Sequence, residues 1–247
     1  MINLSTNKKV IIFGFIFTFF SSFGQSFFLG LFNPSIRGEL DITHGQFGTI
    51  YAAATICSSV ILIWFGKKID EFKLFNYSLI VIIILFSSSF LFSLINNIYF
   101  LMIAIFLMRF SGQGLMSHTS STTISRYFNK RRGRALSGIW FGLSFAEFIL
   151  PILIIFLLSI FSWRTIWQFI SIIILITLPL VIFYTIKTIT IVSRETSNLD
   201  ESKKTFKNIK SWKRSEVLRD FKFYIISLNM LAMPWIATGV FIYQSFI

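Results

Sequence analysis

Residues 99–123 read YFLMIAIFLMRFSGQGLMSHTSSTT, a run long enough to cross a bilayer with one arginine, Arg109, set in its interior. A membrane helix needs about 20 mostly apolar residues to cross roughly 30 Å of hydrocarbon. Placing a charged side chain at the centre of such a helix costs at least ~2.5–3.5 kcal/mol on insertion scales. An arginine there needs partners or water, so the stretch predicts a helix bordering a polar interior. Further stretches of the same length and character lie at 10–32, 47–65, 74–95, 135–161, 166–186 and 223–247, and across all seven the only charged side chains are Arg109 and Glu147.

The whole chain has this character. Of 247 residues, 55% are hydrophobic and 13% charged, with a mean hydropathy of +0.75, against roughly 45–50% apolar and about 25% charged in soluble domains. The expected fold class is all-α, a polytopic membrane protein with the lipid bilayer as its surroundings. The 32 Phe read as generic lipid-facing positions and not as an aromatic cofactor site. Cys57 has no second cysteine to pair with, and His44 and His118 offer no metal-ligand spacing, so neither cofactor nor metal is expected. Lys8 and Lys9 precede the first stretch as in a signal peptide, but that stretch is too long for an h-region and lacks a small-residue cleavage site. It reads as a retained first helix.

Every Lys and Arg except Arg37, Arg109 and Arg164 falls before the first stretch, after the second or fourth, or between residues 187 and 222. Alternating spans put all of these on one side, and the positive-inside rule makes that side, with the N-terminus, cytoplasmic. The net charge of +13 is thus a matter of topology. Nucleic acid is not an expected partner, because the cations are spread over membrane-side loops with no nucleic-acid module. The chain divides into a six-helix transmembrane bundle at 1–186, a basic cytoplasmic linker at 187–222 and one more span at 223–247. In the linker, Phe206, Ile209, Val217 and Phe221 predict either a helix lying on anionic lipid or a solvated connection.

Polar residues inside the spans are costly and mark interior faces. Thr18, Ser21, Ser22 and Gln25 follow i, i+3, i+4, i+7, and Arg109, Gly112, Gln113, Met116, Ser117 and Ser120 follow a matching pattern, so each set shares one helix face. The two faces predict a shared polar interior, either a solute cavity or hydrogen-bonded packing. Arg109, Gln113, Ser117, Gln25 and Thr18 are the candidate binding residues. Glu147 lies at the same depth as Arg109 and is a candidate for proton coupling or for a static ion pair. Gly45, Gly48, Ala52, Thr55 and Ser59 form a stripe suited to close helix packing, and His118 reads as a hydrogen-bonded core histidine.

The segment Gly66-Lys-Lys-Ile-Asp70-Glu-Phe-Lys73 resembles the G-x-x-x-D-[RK]-x-G-[RK] loop signature of the major facilitator superfamily, with Glu71, Lys73 and Leu74 departing from it. Arg109-Phe-Ser-Gly112-Gln-Gly114 is similar to that family's R-x-x-G-x-G pattern, and the run from Arg126 to Gly138, with Ala146-Glu147 and Leu150-Pro151, resembles bacterial members. The resemblance implies two six-helix halves of inverted three-helix repeats, with the first, fourth and seventh helices lining a central cavity. It implies that Gly66, Asp70, Arg132 and Arg134 form a cytoplasmic gating loop, and that 187–222 connects the halves. It places the protein in a bacterial inner membrane. On this reading 223–247 is the first helix of the second half, the chain is a fragment of a twelve-helix protein, and its remaining C-terminal half is a possible partner.

The expected function is secondary active transport of a small solute by alternating access, with an organic anion as a candidate solute and the proton as a candidate coupling ion. The alternatives are an inactive half-transporter, or a non-transporting receptor or membrane-embedded enzyme. Enzymatic chemistry is disfavoured because one carboxylate and one histidine within the spans are too few for paired acid–base or metal catalysis. A photoreceptor is disfavoured because the last span lacks a lysine for a retinal Schiff base.

Overall fold

The computed structural model describes residues 4–128, 131–187 and 214–244, and every regular element among them is helical. In chain order these are α1 (Leu4–Ser21), a 3-10 turn (Ser22–Gly24), α2 (Ser26–Leu31), α3 (Asn33–Leu40) and α4 (His44–Phe65) with a 3-10 extension (Gly66–Asp70). There follow α5 (Leu74–Phe92), α6 (Ile98–Met108), a π-helical segment (Arg109–Met116), α7 (Ser117–Tyr127), α8 (Arg132–Leu158), α9 (Trp163–Thr185), α10 (Arg214–Arg219) and α11 (Phe221–Tyr243). Continuous helices long and apolar enough to cross a membrane cover His44–Asp70, Leu74–Phe92, Ile98–Tyr127, Arg132–Leu158, Trp163–Thr185 and Phe221–Tyr243. They match six of the seven apolar stretches to within a few residues.

The remaining stretch, expected as one helix over 10–32, is broken. Gln25 is extended, with φ −83° and ψ 156°, and separates α1 from α2. The cause is a backbone crossing. A Cβ on Gly24 would lie 2.6 Å from the Gln113 amide nitrogen and 2.9 Å from Gly112 Cα, and one on Gly112 would lie 2.7 Å from Gly24 N. Two glycines let the chains meet there, at the cost of the local helical ladder.

Local sequence sets the other boundaries. Thr43 and Gln46 form a capping box at the start of α4, with Thr43 N donating to Gln46 Oε1 at 2.8 Å and Gln46 N to Thr43 Oγ1 at 3.2 Å. Asn97, Ser162 and Asp220 accept from backbone amides at the starts of α6, α9 and α11. Asp41, in the left-handed region at φ 51°, ends α3.

Small residues and hydroxyls join the helices. Thr18 Oγ1 donates to the Ile139 carbonyl at 2.5 Å, tying α1 to α8. Ser120 Oγ donates to the Gly14 carbonyl at 2.8 Å, tying α7 to α1. At one end of the bundle α2 and the start of α3 hold the end of α11: Asn33 Nδ2 donates to the Ile242 carbonyl and Gln244 Nε2 to the Phe27 carbonyl, each at 2.7 Å. At that same end Arg164 and the Trp163 indole both donate to Glu39, and Arg164 also reaches the carbonyls of Ser93 and Ile95.

The phenylalanines divide in a way that composition does not reveal. Phe28, Phe32 and Phe92 surround the fully buried Trp167, with ring centroids 5.5, 5.2 and 4.4 Å from it, and Phe13, Phe17 and Phe47 are buried too. Phe148 and Phe156, on the outer surface of α8, are exposed and suited to lipid. Of the linker residues singled out above, Phe206 and Ile209 lie outside the described residues; Val217 is half-buried on α10 and Phe221 is exposed.

Candidate functional site

A cavity of about 1060 Å³ lies between α4, the π-helical segment and α11. The small-residue stripe of α4 forms one wall: Gly45, Gly48, Ala52, Thr55 and Ser59 all line the space. Expected as a packing seam, the stripe admits a close neighbour at Gly48, where a Cβ would stand 2.5 Å from Tyr243 Oη, and leaves room beside its other residues. The second wall carries Arg109, Gln113 and Gly114, and the third carries Leu231, Trp235 and Thr238.

Arg109 is 5% exposed. Its Nη1 donates to the Gly24 carbonyl at 3.1 Å and to Ser26 Oγ at 3.3 Å, which uses a backbone acceptor freed by the break in the first span. Tyr51 on α4 donates to the same Ser26 Oγ at 2.9 Å, and its ring centroid lies 5.2 Å from the guanidinium carbon. Arg109 Nε has no hydrogen-bond partner among the described residues. The cation is therefore anchored along one edge.

The π-helical turn decides which neighbours accompany it. Wider than an α-helical turn and often found at functional sites, it places Arg109, Gln113 and Gly114 on the cavity while Gly112 packs on Gly24. The remaining candidates fall elsewhere. Ser117 is buried and its Oγ has no hydrogen bond among the described residues. Thr18 is fully buried between α1 and α8, Gln25 is half-buried at the break, and neither lines the cavity. Glu147 is exposed on α8, and no ion pair joins it to Arg109 among the described residues. Tyr51 and Ser26 escaped the sequence reading. Tyr51 stands three residues after Gly48 and four before Thr55, on the face of the small stripe, and that is the signal that could have found it.

A second hollow, of about 420 Å³, adjoins the first through Ser59 and Leu62 and is bordered by Lys67, Asp70, His118, Thr122 and Arg126. Asp70 forms an ion pair with Arg126. The resemblance had implied Arg132 and Arg134 for this gate, but both are exposed on the first turn of α8 and neither pairs with Asp70, whereas Arg126 ends α7 beside the 3-10 turn. Gly66 is buried, and a Cβ there would stand 3.5 Å from the His118 ring. His118 Nε2 lies 3.4 Å from Thr122 Oγ1.

At the other end of the bundle, the hydrogen bond from Arg164 holds the Glu39 carboxyl below the usual carboxylate range, against the opposing effect of burial. Among the described residues no group of His, Cys, Asp and Glu is placed to hold a metal ion.

A family model described as Major Facilitator Superfamily matches residues 14–247. Comparisons with curated proteins and with solved structures gave no significant match.

Proposed function

The chain belongs to the Major Facilitator Superfamily, and we propose that this membrane transporter is a secondary one that carries a small organic anion by alternating access, coupled to protons. The observation that carries this reading is Arg109, a buried cation on the wall of a 1060 Å³ cavity in the interior of its span. Packing alone does not need a charge there, and an anionic solute offsets the cost of holding one. Gln113 adds a hydrogen-bonding group on the same wall.

The bundle at 1–186 rocks against a second bundle that begins with 223–247 and is joined to it through 187–222, as in two-bundle transporters. The N-terminus lies in the cytoplasm of a bacterial cell and the protein in its inner membrane; the cation-rich loops support that orientation, and the resemblance of residues 126–138 to bacterial members supports the origin. The Asp70–Arg126 pair then stands at the cytoplasmic end and closes that side. Glu147, with no ion-pair partner among the described residues, is the residue assigned to proton coupling.

The test is uptake of labelled organic anions, with and without an imposed pH gradient, by cells making the whole protein. Saturable uptake that depends on the gradient and is lost in Arg109→Ala at equal membrane insertion is the expected result. Undiminished uptake in that variant overturns the role given to Arg109.

A further inference from the structure

We infer that Asn33 and Gln244 form a latch that holds the seventh span to the first at the end of the bundle opposite Asp70 and Arg126, and that its release opens the outer side of the cavity. The inference rests on the alternating-access reading above and names residues that set the balance between its two states.

The seam is reciprocal. Asn33 Nδ2, at the start of α3, donates to the Ile242 carbonyl near the end of α11, and Gln244 Nε2, just past that end, donates to the Phe27 carbonyl of α2, each at 2.7 Å. Between the two bonds the backbones almost touch: a Cβ on Gly30 would stand 2.1 Å from the Phe241 carbonyl oxygen. The Phe27 and Phe241 rings meet edge-on with centroids 6.1 Å apart, and Tyr243 Oη donates to the His44 carbonyl at 3.2 Å. Among the described residues, the hydrogen bonds that join the seventh span to the first six all fall at 242–244.

The seam is also built to part. The Ile242 carbonyl lies in the last turn of α11, where carbonyls lack an intrahelical amide to accept from, so releasing Asn33 leaves the helical ladder intact. Asn33 is fully buried, yet its Oδ1 has no hydrogen-bond partner among the described residues. Closing therefore satisfies one end of the carboxamide and dehydrates the other. Opening returns Oδ1 to water, which offsets the loss of the Nδ2 bond. Both donors are neutral and both acceptors are carbonyls, so parting them leaves no unpaired ion behind.

The latch is mounted on a fixed post. Six residues beyond Asn33 on the same helix, the Glu39 carboxylate accepts from Trp163 Nε1 at 2.8 Å and from Arg164 Nε at 3.1 Å, and Arg164 Nη1 donates in turn to the Ser93 carbonyl at 2.8 Å. Glu39 thus fastens α3 to α9 and to the end of α5, within the first bundle, while Asn33 fastens it to α11, across the bundles. The ionic fastening travels with the first bundle and the neutral one gives way.

The experiment uses the whole protein in vesicles of known orientation, with every other cysteine replaced by Ser, and a membrane-impermeant thiol reagent. Two single thiols are read in separate chains: Ile242→Cys, at a position 3% exposed in the closed seam, from the outer side, and Gln113→Cys from the cytoplasmic side. Asn33→Asp and Gln244→Glu keep the shape of each side chain but set an acceptor against a carbonyl, and Gly30→Ala drives a Cβ into the Phe241 carbonyl. Each should speed outer labelling at 242 by about tenfold, the scale of one buried hydrogen bond, and slow cytoplasmic labelling at 113. Opposite shifts are the signature of a latch, because a merely loosened fold would speed both. Unchanged rates in all three variants, or rates that rise together at both positions, overturn the latch, and alternating access still stands if Gln113→Cys reacts from both sides in the parent. Reaction of Gln113→Cys from neither side overturns the alternating-access reading and the latch with it.

Discussion

Arg109 donates from Nη1 to the carbonyl of Gly24 across 3.1 Å, so the buried cation of the fourth span caps the break in the first. One side chain thereby serves two ends. It satisfies a backbone acceptor that the interrupted helix exposes, and it lines the cavity.

The crossing that causes the break depends on two glycines. Gly24→Ala or Gly112→Ala would drive a Cβ into backbone atoms that cannot move aside as a side-chain tip does. Each should destabilise the protein by about 1–3 kcal/mol, the usual range for overpacking, read as a lowered unfolding midpoint in detergent. Alanine at Gly38, where nothing lies within 4 Å, is the control and should leave the midpoint in place.

Thr18 shares a helix face with Ser21, Ser22 and Gln25, but its hydroxyl is spent on Ile139. Thr18→Val should cost about 0.6 kcal/mol, and no more than about 1.7, the span measured for interhelical hydrogen bonds in membranes. Uptake should persist. A variant that is stable yet transport-dead would place Thr18 on the solute path instead.

The Asp70–Arg126 pair is largely open to solvent, with side-chain exposures of 59% and 33%. Asp70→Asn should therefore shift stability by less than about 1 kcal/mol while lowering uptake markedly, because the pair's role is to hold one conformation of the carrier. Equal losses in stability and uptake would reduce it to a structural bridge.

Acid should loosen the end of the bundle that Glu39 holds. Its carboxyl is lowered by Arg164, so the stabilisation is fully present above the unfolded-state value of about 4.3 and is lost as pH falls through the lower folded value. The stability difference between the wild type and Glu39→Gln should be constant near neutrality and shrink below about pH 4. A difference that does not change with pH contradicts this account.

Hydropathy made the spans legible, because a helix that crosses lipid must satisfy its backbone internally and present apolar side chains along most of its length. Arg109 stood out for the same reason. Periodicity did not reveal the break at Gln25, since an extended residue forced by the Gly24–Gly112 crossing leaves no mark on the apolar pattern. It also misplaced Ser117, because a 3.6-residue repeat does not hold through a π-helical turn. Tyr51 and Ser26 are 25 residues apart, and only the fold brings both to Arg109. The buried cluster around Trp167 is hidden by composition, which does not separate a phenylalanine facing lipid from one facing the core.

The central claim is a water-filled path through the interior of the bundle that opens to each side in turn. Gln113→Cys, in the whole protein with every other cysteine, Cys57 among them, replaced by Ser, places one thiol on the cavity wall. In vesicles of known orientation a membrane-impermeant thiol reagent should label this position from either side, while Thr18→Cys, sealed between α1 and α8, stays unlabelled. If Gln113→Cys reacts from neither side, or from one side only under every solute and pH condition, alternating access through this cavity is contradicted.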